Sequence, residues 1–381
     1  TNYITLNKKY LEEQGHEVYI FTFGDLDYED NETHVIRSPG IPLVDTGFHI
    51  GLVLSRQARQ LLYGMDVVHV HHPFQSGPMA LRYCKSRNIP VVFTNHTRYD
   101  LYAQVYLPLL LDTLSESALR AYLPAFCQAC DLVVAPSPSL KEVIQAMGVD
   151  THIEVIPNGV DLAPFSSPKN VTDRSSMGIP YDAIVLIYTG RLGPEKNLPF
   201  LLRAFLGTAA AVENVHLLFV GDGSERRTLQ DWAESTAYSH RIHFTGFVPY
   251  EELPGFLKMA DIFVTASITE VHPLSVIEAL GAGLPVLGID APGVKDTVVS
   301  DFCGLLASED LAAYTAKMML LVTEQDLRIR LASGAQKTAA KFDIHLTCKV
   351  MAGQYQKLLD VSKPRKLGLG SRVERFLDKW R

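Results

Sequence analysis

Two glutamates eight positions apart carry the strongest chemical signal in the sequence. Glu270 lies in the loop after a predicted strand, and Glu278 lies on a helix predicted to open near Pro273. The first backbone N–H groups of that helix, those of Leu274 and Ser275, lie at a positive dipole end and suit a phosphate. Carboxylates suit the hydroxyls of a sugar or ribose, because each accepts two hydrogen bonds. For an isolated pair, a helix cap and a solvated helix-face residue would be the usual interpretation.

A second group of candidates lies in YTGRLGPEKN at 188–197, directly after another predicted strand. Arg191 and Lys196 stand five positions apart around a Gly/Pro turn, so we expect both cations to reach the same ligand. The planar guanidinium and the point charge of the ammonium together neutralise a diphosphate. Two exposed loop charges are the alternative for this pair taken alone.

Two short glycine turns follow further predicted strands. Gly221 and Gly223 follow one strand, and Gly246, Phe247 and Val248 follow the next. Such turns are weak evidence for a nucleotide site by themselves, because a tight turn at a strand end also needs glycine.

The amino-terminal half offers histidines at strand ends. His96 lies on the loop after the predicted strand 90–94, where a histidine donates to a sugar hydroxyl or positions a reacting group. A histidine bonded to nearby backbone is the alternative. His69, His71 and His72 end another strand, but no Asp or Glu stands at ligand spacing, so we predict no metal site.

The hydrophobic pattern predicts parallel strands, and such strands would bring these loops together. Apolar runs such as DVVHV, PVVFT and AIVLIYT alternate with helical patterns, which is typical of strands covered by helices on both faces of a sheet. The predicted strands are 18–23, 33–37, 66–70, 90–94, 131–135, 153–156, 183–189, 215–220, 241–245, 261–265 and 284–288.

The segment 157–176 is rich in Pro, Ser and Asn and is interpreted as a linker. We therefore expect two doubly wound α/β domains, 1–160 and 161–345, followed by a helical tail at 346–381. Open α/β sheets bind ligands at the carboxyl ends of their strands, so a cleft between two such domains is the expected site. Residues 1–14 predict a helix, and we expect that a preceding strand and its loop are missing.

The composition excludes several classes of protein. With 381 residues, 47% of them hydrophobic and 20% charged, the chain is not disordered, collagen-like or built on disulfides. Its net charge of −7 argues against nucleic acid as a partner. No run of about 18 apolar residues predicts a membrane-spanning helix. Five cysteines in so long a chain, Cys127 and Cys130 among them, indicate packed, reduced thiols and a cytoplasmic location.

The pair Glu270-x₇-Glu278, continued by EALGAGLPVLG, resembles the E-x₇-E motif of retaining glycosyltransferases of family 4, which have the GT-B fold. The resemblance implies that Glu270 contacts the hydroxyls of a donor sugar and that Glu278 binds the ribose of its nucleotide. The segment GRL-x-x-EKN is similar to the pyrophosphate-binding loop of that family. This implies that Arg191 and Lys196 stabilise the leaving diphosphate without a metal or other cofactor.

The same resemblance assigns the remaining candidates. It places His96 close to the 6-hydroxyl of the donor sugar. It also implies that the backbone of residues 246–248, the Gly246 segment, contacts the base of the nucleotide. The implied donor-binding residues, besides Glu278, are Gly190, Gly221, Gly223, Gly246, Phe247, Val248, Leu274 and Ser275. Position 273 is Pro where many members of the family carry Gly, and the first strand and glycine-rich loop of the family are absent.

The acceptor is indicated by a narrower resemblance. The pattern Thr94-x-His96-Thr97-x-Tyr99 resembles lipid glycosyltransferases that form glycosyldiacylglycerols. It implies a lipid acceptor and favours UDP-glucose over GDP-mannose as the donor. Tyrosines 99, 102 and 106, with LPLLL at 107–111, would give an apolar surface for an acyl chain, or would pack the next helix. A mannosyltransferase, a GT-B sugar-nucleotide epimerase and a catalytically silent binding domain are the alternatives.

The tail at 362–381 carries a net positive charge. It holds seven Lys or Arg residues against Glu374 and Asp378. The side chains at 373, 376, 377 and 380 recur at helical spacing and include Trp380, which predicts an amphipathic basic helix. Such a helix suits an anionic membrane, so we expect a peripheral protein on the inner face of the cell membrane. Packing of this helix against the first domain is the alternative.

Overall fold

The computed structural model describes residues 2–30, 32–42, 49–51, 53–101 and 112–361. The chain forms two compact units: the first runs to Pro157 and includes residues from Thr347 onward, and the second is Asn158–Leu346. Tyr102, Tyr106, the run 107–111 and the basic tail 362–381 lie outside the described residues.

The first unit is built on short parallel strands. The strands β5, β6, β7 and β8 form one parallel sheet in that order, while β1 pairs with β2 in parallel and β3 with β4 in antiparallel. Every residue of β6 and β7 is buried, as parallel strands between helices require. The strands are β1 (Ile20–Gly24), β2 (Val35–Pro39), β3 (Ile41–Pro42), β4 (His49–Ile50), β5 (Val68–Val70), β6 (Val91–Thr94), β7 (Leu132–Ala135) and β8 (Ile153–Val155).

Helices connect these strands, and their ends follow from the sequence. The side chain of Ser137 accepts a hydrogen bond from the backbone N–H of Leu140, and a proline occupies the first turn, so a helix begins at Pro138. The helices of this unit are Asn2–Glu13, Arg56–Leu62, Ser76–Lys85, Asp112–Ala129, Pro138–Ala146 and, from Thr347 onward, the helix Ile344–Val361.

The second unit contains one six-stranded parallel sheet. Its strand order is β11-β10-β9-β12-β13-β14, so the chain reverses direction across the sheet between β9 and β12. Alternate residues of β9 enter hydrophobic cores on opposite faces, Leu186 one core and Ile187 the other. The strands are β9 (Ile184–Thr189), β10 (Val215–Val220), β11 (Ile242–Phe244), β12 (Ile262–Val264), β13 (Val286–Ile289) and β14 (Gly304–Ala307).

Eight α-helices of the second unit cover this sheet within the described residues. They are Ala163–Ser166, Leu198–Ala211, Arg226–Glu234, Leu253–Met259, Leu274–Gly281, Val294–Thr297, Leu311–Thr323 and Gln325–Ala339.

The predicted parallel α/β architecture is confirmed, and each predicted strand occurs within two residues of its expected start. Three strands were not predicted: β3 and β4, which have two residues each, and β14. The linker interpretation of 157–176 is wrong for its central part, because Phe165 is 1% exposed and packs in the core of the second unit.

The cysteines and the helix lengths bear on two further expectations. All five cysteines are free thiols, and burial raises the pKa of both Cys127 and Cys130 to about 12, as packed thiols require. Among the described helices, none combines the length and the apolar character needed to cross a membrane.

A buried hydroxyl connects the helix Leu311–Thr323 to the end of β12. Tyr314 is fully buried and donates a hydrogen bond of 2.9 Å to the carbonyl of Thr265. We expect Tyr314→Phe to lower the free energy of unfolding by about 1–3 kcal/mol, because a buried carbonyl loses its partner. Urea denaturation measures this. The control is Tyr181→Phe, which removes an exposed hydroxyl from Asp173; equal losses in the two variants would contradict the assignment.

Candidate active site

An ion pair stands where the strand order of the second unit reverses. Lys196 lies on the loop after β9 and Glu270 on the loop after β12, and parallel neighbours carry both loops to the same sheet edge. The ammonium nitrogen of Lys196 lies 2.7 Å from Oε1 of Glu270, with the two side chains 22% and 18% exposed. This edge therefore holds two opposite, half-buried charges that are already in contact.

Hydrogen bonds to the backbone fix the two loops against each other. The hydroxyls of Ser267 and Thr269 donate to the carbonyl of Glu195 at 3.3 and 3.1 Å. The side-chain amide of Asn197 donates to the carbonyl of Ala266 at 3.2 Å. The distance between Lys196 and Glu270 is thus set by the loop backbones rather than by the two flexible side chains alone.

Arg191 has a different partner from Lys196. Its guanidinium lies 2.7 Å from Oε1 of Glu195, and its side chain is 72% exposed. The two cations therefore do not share a ligand in this structure, although they stand on one loop. Because the Arg191 side chain is largely in solvent, its attraction to the half-buried Glu195 is screened, which lets Arg191 exchange this carboxylate for another anion.

The predicted glycine turns are packed against one another. The N–H of Gly221 donates to the carbonyl of Gly246 at 3.0 Å, and a Cβ on Gly221 would lie 2.0 Å from the carbonyl oxygen of Gly190. Gly190 and Gly221 have φ angles of +140° and +139°, which disfavour other residues. Gly223 approaches Leu192 in the same way. The turns after β9, β10 and β11 thus form one surface.

Glu278 is a buried carboxyl on the helix Leu274–Gly281. It is 5% exposed, and the hydroxyl of Tyr250 donates to its Oε1 at 2.9 Å. Burial raises its pKa to about 7, and the hydrogen bond from Tyr250 opposes that rise. The ring of Tyr250 in turn packs edge-on against Phe165, which holds the hydroxyl in place.

This helix begins where the sequence predicts it, next to Pro273. Pro273 occupies the N-cap position, and no side-chain hydrogen bond caps the helix. Leu274 and Ser275 are its first two residues and are half-buried. Their N–H groups have no acceptor within the helix, as in every first helical turn.

Phe247 and Val248, which follow Gly246, differ in their exposure to solvent. Phe247 is 79% exposed, whereas Val248 packs partly against the core. The exposed ring of Phe247 is therefore accessible to a planar ligand.

His96 belongs to the first unit, where it follows β6. Its Nε2 lies 2.9 Å from Nδ1 of His71, and burial lowers its pKa to about 4. The neutral imidazole therefore predominates at pH 7. Among the described residues, no three His, Cys, Asp or Glu side chains are grouped so that they could hold a metal ion.

Two residues at these sites were not predicted from the sequence. Tyr250 and Glu195 are the partners of Glu278 and Arg191, and only their proximity in the chain to predicted loops could have indicated them. Tyr99 was expected on a surface for an acyl chain, but it is 1% exposed and packs edge-on against Phe74. For Tyr99 the packing alternative is therefore correct.

Comparison with known proteins gives two family matches. Residues 170–338 match the model of glycosyl transferases group 1, and residues 1–164 match that of glycosyltransferase family 4. The chain is 30% identical to the alpha-monoglucosyldiacylglycerol synthase of Acholeplasma laidlawii over 77% of both proteins. It is 28% identical to the synthase of that name from Streptococcus pneumoniae, over 84% of this chain and 74% of the relative.

A solved structure has the same fold. HepE from Anabaena, crystallised in complex with UDP-glucose, superposes with a TM-score of 0.68 at 20% sequence identity. The match covers 85% of this chain and 86% of that protein.

The raised pKa of Glu278 predicts how stability depends on pH. Below about pH 4.5 the carboxyl is protonated in both the folded and the unfolded chain; between about 4.5 and 7 only the unfolded chain ionises. The wild type should therefore lose up to about 3 kcal/mol relative to Glu278→Gln as the pH rises through this window.

Urea denaturation of both proteins between pH 4 and pH 8 measures this difference, with Glu251→Gln as an exposed control. A difference between wild type and Glu278→Gln that does not change with pH would contradict the burial of an ionisable carboxyl.

Proposed function

The chain belongs to the glycosyltransferases of group 1 and family 4, and we propose that it transfers glucose from UDP-glucose to a diacylglycerol-type lipid. Members of this family retain the anomeric configuration of the donor sugar, and the chain is a retaining glycosyltransferase of the GT-B class.

The observation that carries the proposal is the ion pair between Lys196 and Glu270 at the carboxyl edge of the sheet, with the buried Glu278 on the helix that follows Glu270 in the chain. A nucleotide sugar needs a cation for its diphosphate and acceptors for its hydroxyls, and the ion pair and the buried carboxyl support this assignment. In this proposal Glu278 accepts hydrogen bonds from the ribose, and Glu270 accepts hydrogen bonds from the glucose.

The diphosphate takes the cationic positions of the same edge. Lys196, Arg191 and the N–H groups of Leu274 and Ser275 bind it, and the glycine turns let the backbone approach it closely. Phe247 and the backbone from Gly246 to Val248 face the base. Because two cations are held by carboxylates at this edge before any ligand arrives, the diphosphate replaces a carboxylate as their partner.

The reaction follows from these positions. The hydroxyl oxygen of the acceptor forms a bond to the anomeric carbon of the sugar while the bond from that carbon to the diphosphate oxygen breaks. The proton of the hydroxyl passes to the departing diphosphate, and the new bond forms on the face that the diphosphate leaves. Negative charge grows on the diphosphate, so Arg191 and Lys196 stabilise the transition state more than the ground state. His96 orients the sugar.

The names of the relatives support the choice of sugar and acceptor. Two similar proteins are named as alpha-monoglucosyldiacylglycerol synthases, and a structural neighbour was crystallised with UDP-glucose. We extend glucose, UDP and diacylglycerol to this chain on that basis. A lipid acceptor lies in a membrane, and the basic tail at 362–381 supports attachment to an anionic cytoplasmic surface.

Product analysis tests the proposal directly. The protein is incubated with UDP-glucose or GDP-mannose, each with dioleoylglycerol or a soluble saccharide, and the products are identified by mass spectrometry. We expect glucosyl-dioleoylglycerol from UDP-glucose. Mannosyl products alone would indicate the mannosyltransferase, and conversion of the sugar nucleotide without an acceptor would indicate an epimerase; either result overturns the proposal.

The cationic loop predicts a loss of turnover. We expect Lys196→Ala or Arg191→Ala to lower kcat by roughly 10²–10³, the effect of removing one group that stabilises developing charge. Steady-state kinetics with saturating UDP-glucose measures it. Arg227→Ala is the matched control, because this arginine is 93% exposed on a helix of the same unit. Near wild-type turnover in Lys196→Ala or Arg191→Ala would show that the diphosphate assignment is wrong for that residue.

The tail predicts electrostatic binding to membranes. Deletion of residues 364–381 removes six of its seven basic residues, each contributing about 1 kcal/mol near an anionic surface. We expect the full chain to co-sediment with anionic vesicles and not with neutral ones, and the deletion variant to bind at least about tenfold more weakly. Unchanged UDP binding shows that the variant is folded. Vesicle binding that survives the deletion and is insensitive to salt would contradict this role.

A further inference from the structure

A second histidine stands beside His96. His71 follows β5, and its Nδ1 lies 2.9 Å from Nε2 of His96, which follows β6. The two residues are 25 positions apart, and they meet because β5 and β6 pair in parallel with Val70 opposite Phe93. The donor site of the second unit gives His71 no role.

The ring of His71 is held in place by its neighbours. It stacks on His69 with a centroid distance of 4.3 Å, and the ring of Tyr3 meets it edge-on. His69 is itself fixed at both nitrogens, by the hydroxyl of Tyr355 at Nδ1 and that of Thr94 at Nε2, each at 2.7 Å. The orientation of the His71 ring toward Nε2 of His96 is therefore set by packing.

Burial keeps these imidazoles neutral. It lowers the pKa of His69 to about 3 and of His96 to about 4, and it lowers that of His71 well below its usual value. A neutral imidazole carries a proton on only one of its two nitrogens. The hydrogen bond between Nδ1 of His71 and Nε2 of His96 therefore needs a proton on one of these two atoms and none on the other. If Nδ1 of His71 carries that proton, His96 must carry its own on Nδ1.

We propose that His71 is a positioning residue, whose Nδ1–H donates to Nε2 of His96 and thereby makes His96 an Nδ1–H donor toward the sugar. The inference rests on the sugar-orienting role proposed for His96. Loss of His71 would release His96 to its other tautomer, whose unprotonated Nδ1 no longer donates to a hydroxyl oxygen.

NMR spectroscopy tests the tautomer without any turnover. Long-range proton–nitrogen correlations of ¹⁵N-histidine-labelled protein at pH 7 identify which ring nitrogen of His96 is protonated, with His96→Gln giving the assignment. We expect the Nδ1–H form in the wild type and a shift toward the Nε2–H form in His71→Phe. His71→Asn retains a donor close to the position of Nδ1 and should restore the wild-type tautomer.

Another histidine pair, in the described part of the second unit, supplies a control. His216 and His243 lie 3.0 Å apart in the second unit, so His216→Phe removes a similar contact and should leave the signals of His96 unchanged. A wild-type protein with the proton of His96 on Nε2 overturns the proposal, whatever the variants do.

Kinetics separates positioning from mere packing. We expect His71→Phe to lower kcat for glucosyl transfer by roughly 10- to 100-fold, with unchanged UDP affinity, and His71→Asn to recover most of it. Wild-type kcat in His71→Phe overturns the positioning role even when the tautomer is as expected. Absence of transfer by the wild type would contradict the proposed function instead, and the NMR result would still decide the tautomer.

Discussion

The carboxyl edge of one parallel sheet is the constraint on which the site of the second unit depends. Parallel pairing of β9, β10, β11, β12 and β13 obliges all their following loops to emerge at the same edge. The reversal of strand order between β9 and β12 then leaves room there, and Lys196 and Glu270 meet across it. Sheet topology brings these residues, 74 positions apart, to one edge, and hydrogen bonds between the two loops hold them in contact.

The charges at this edge are balanced before a ligand arrives. A cation or carboxylate taken out of water without a partner costs several kcal/mol, so Lys196 and Glu270 stabilise each other. Glu278 has no cationic partner among the described contacts; it has the hydroxyl of Tyr250 and a raised pKa instead. A ligand with hydroxyls and a diphosphate can replace these internal partners group by group, without leaving a charge buried alone.

The sequence predicted the fold well, because long apolar runs such as AIVLIYT leave little ambiguity about buried parallel strands. It also indicated which loops follow strands, and so placed Lys196 and Glu270 at one edge. The sequence did not predict the side-chain partners, because nothing in the spacing distinguishes Glu195 or Tyr250 from other polar loop residues. The contact between His71 and His96 depends on the pairing register of β5 and β6, which the hydrophobic pattern does not specify.

We propose that the sheet edge of the second unit binds a nucleoside diphosphate through Glu278 and completes the sugar site through Glu270. Calorimetry with UDP alone tests this claim most directly, comparing the wild type with Glu278→Ala and Glu270→Ala. Loss of a hydrogen bond to a charged group should weaken UDP binding to Glu278→Ala by about 1.5–3 kcal/mol. Glu270→Ala loses the proposed contact to the sugar and frees Lys196 from its ion pair, so it should bind UDP at least as tightly as the wild type does. Equal affinities of the wild type and Glu278→Ala for UDP would contradict the account.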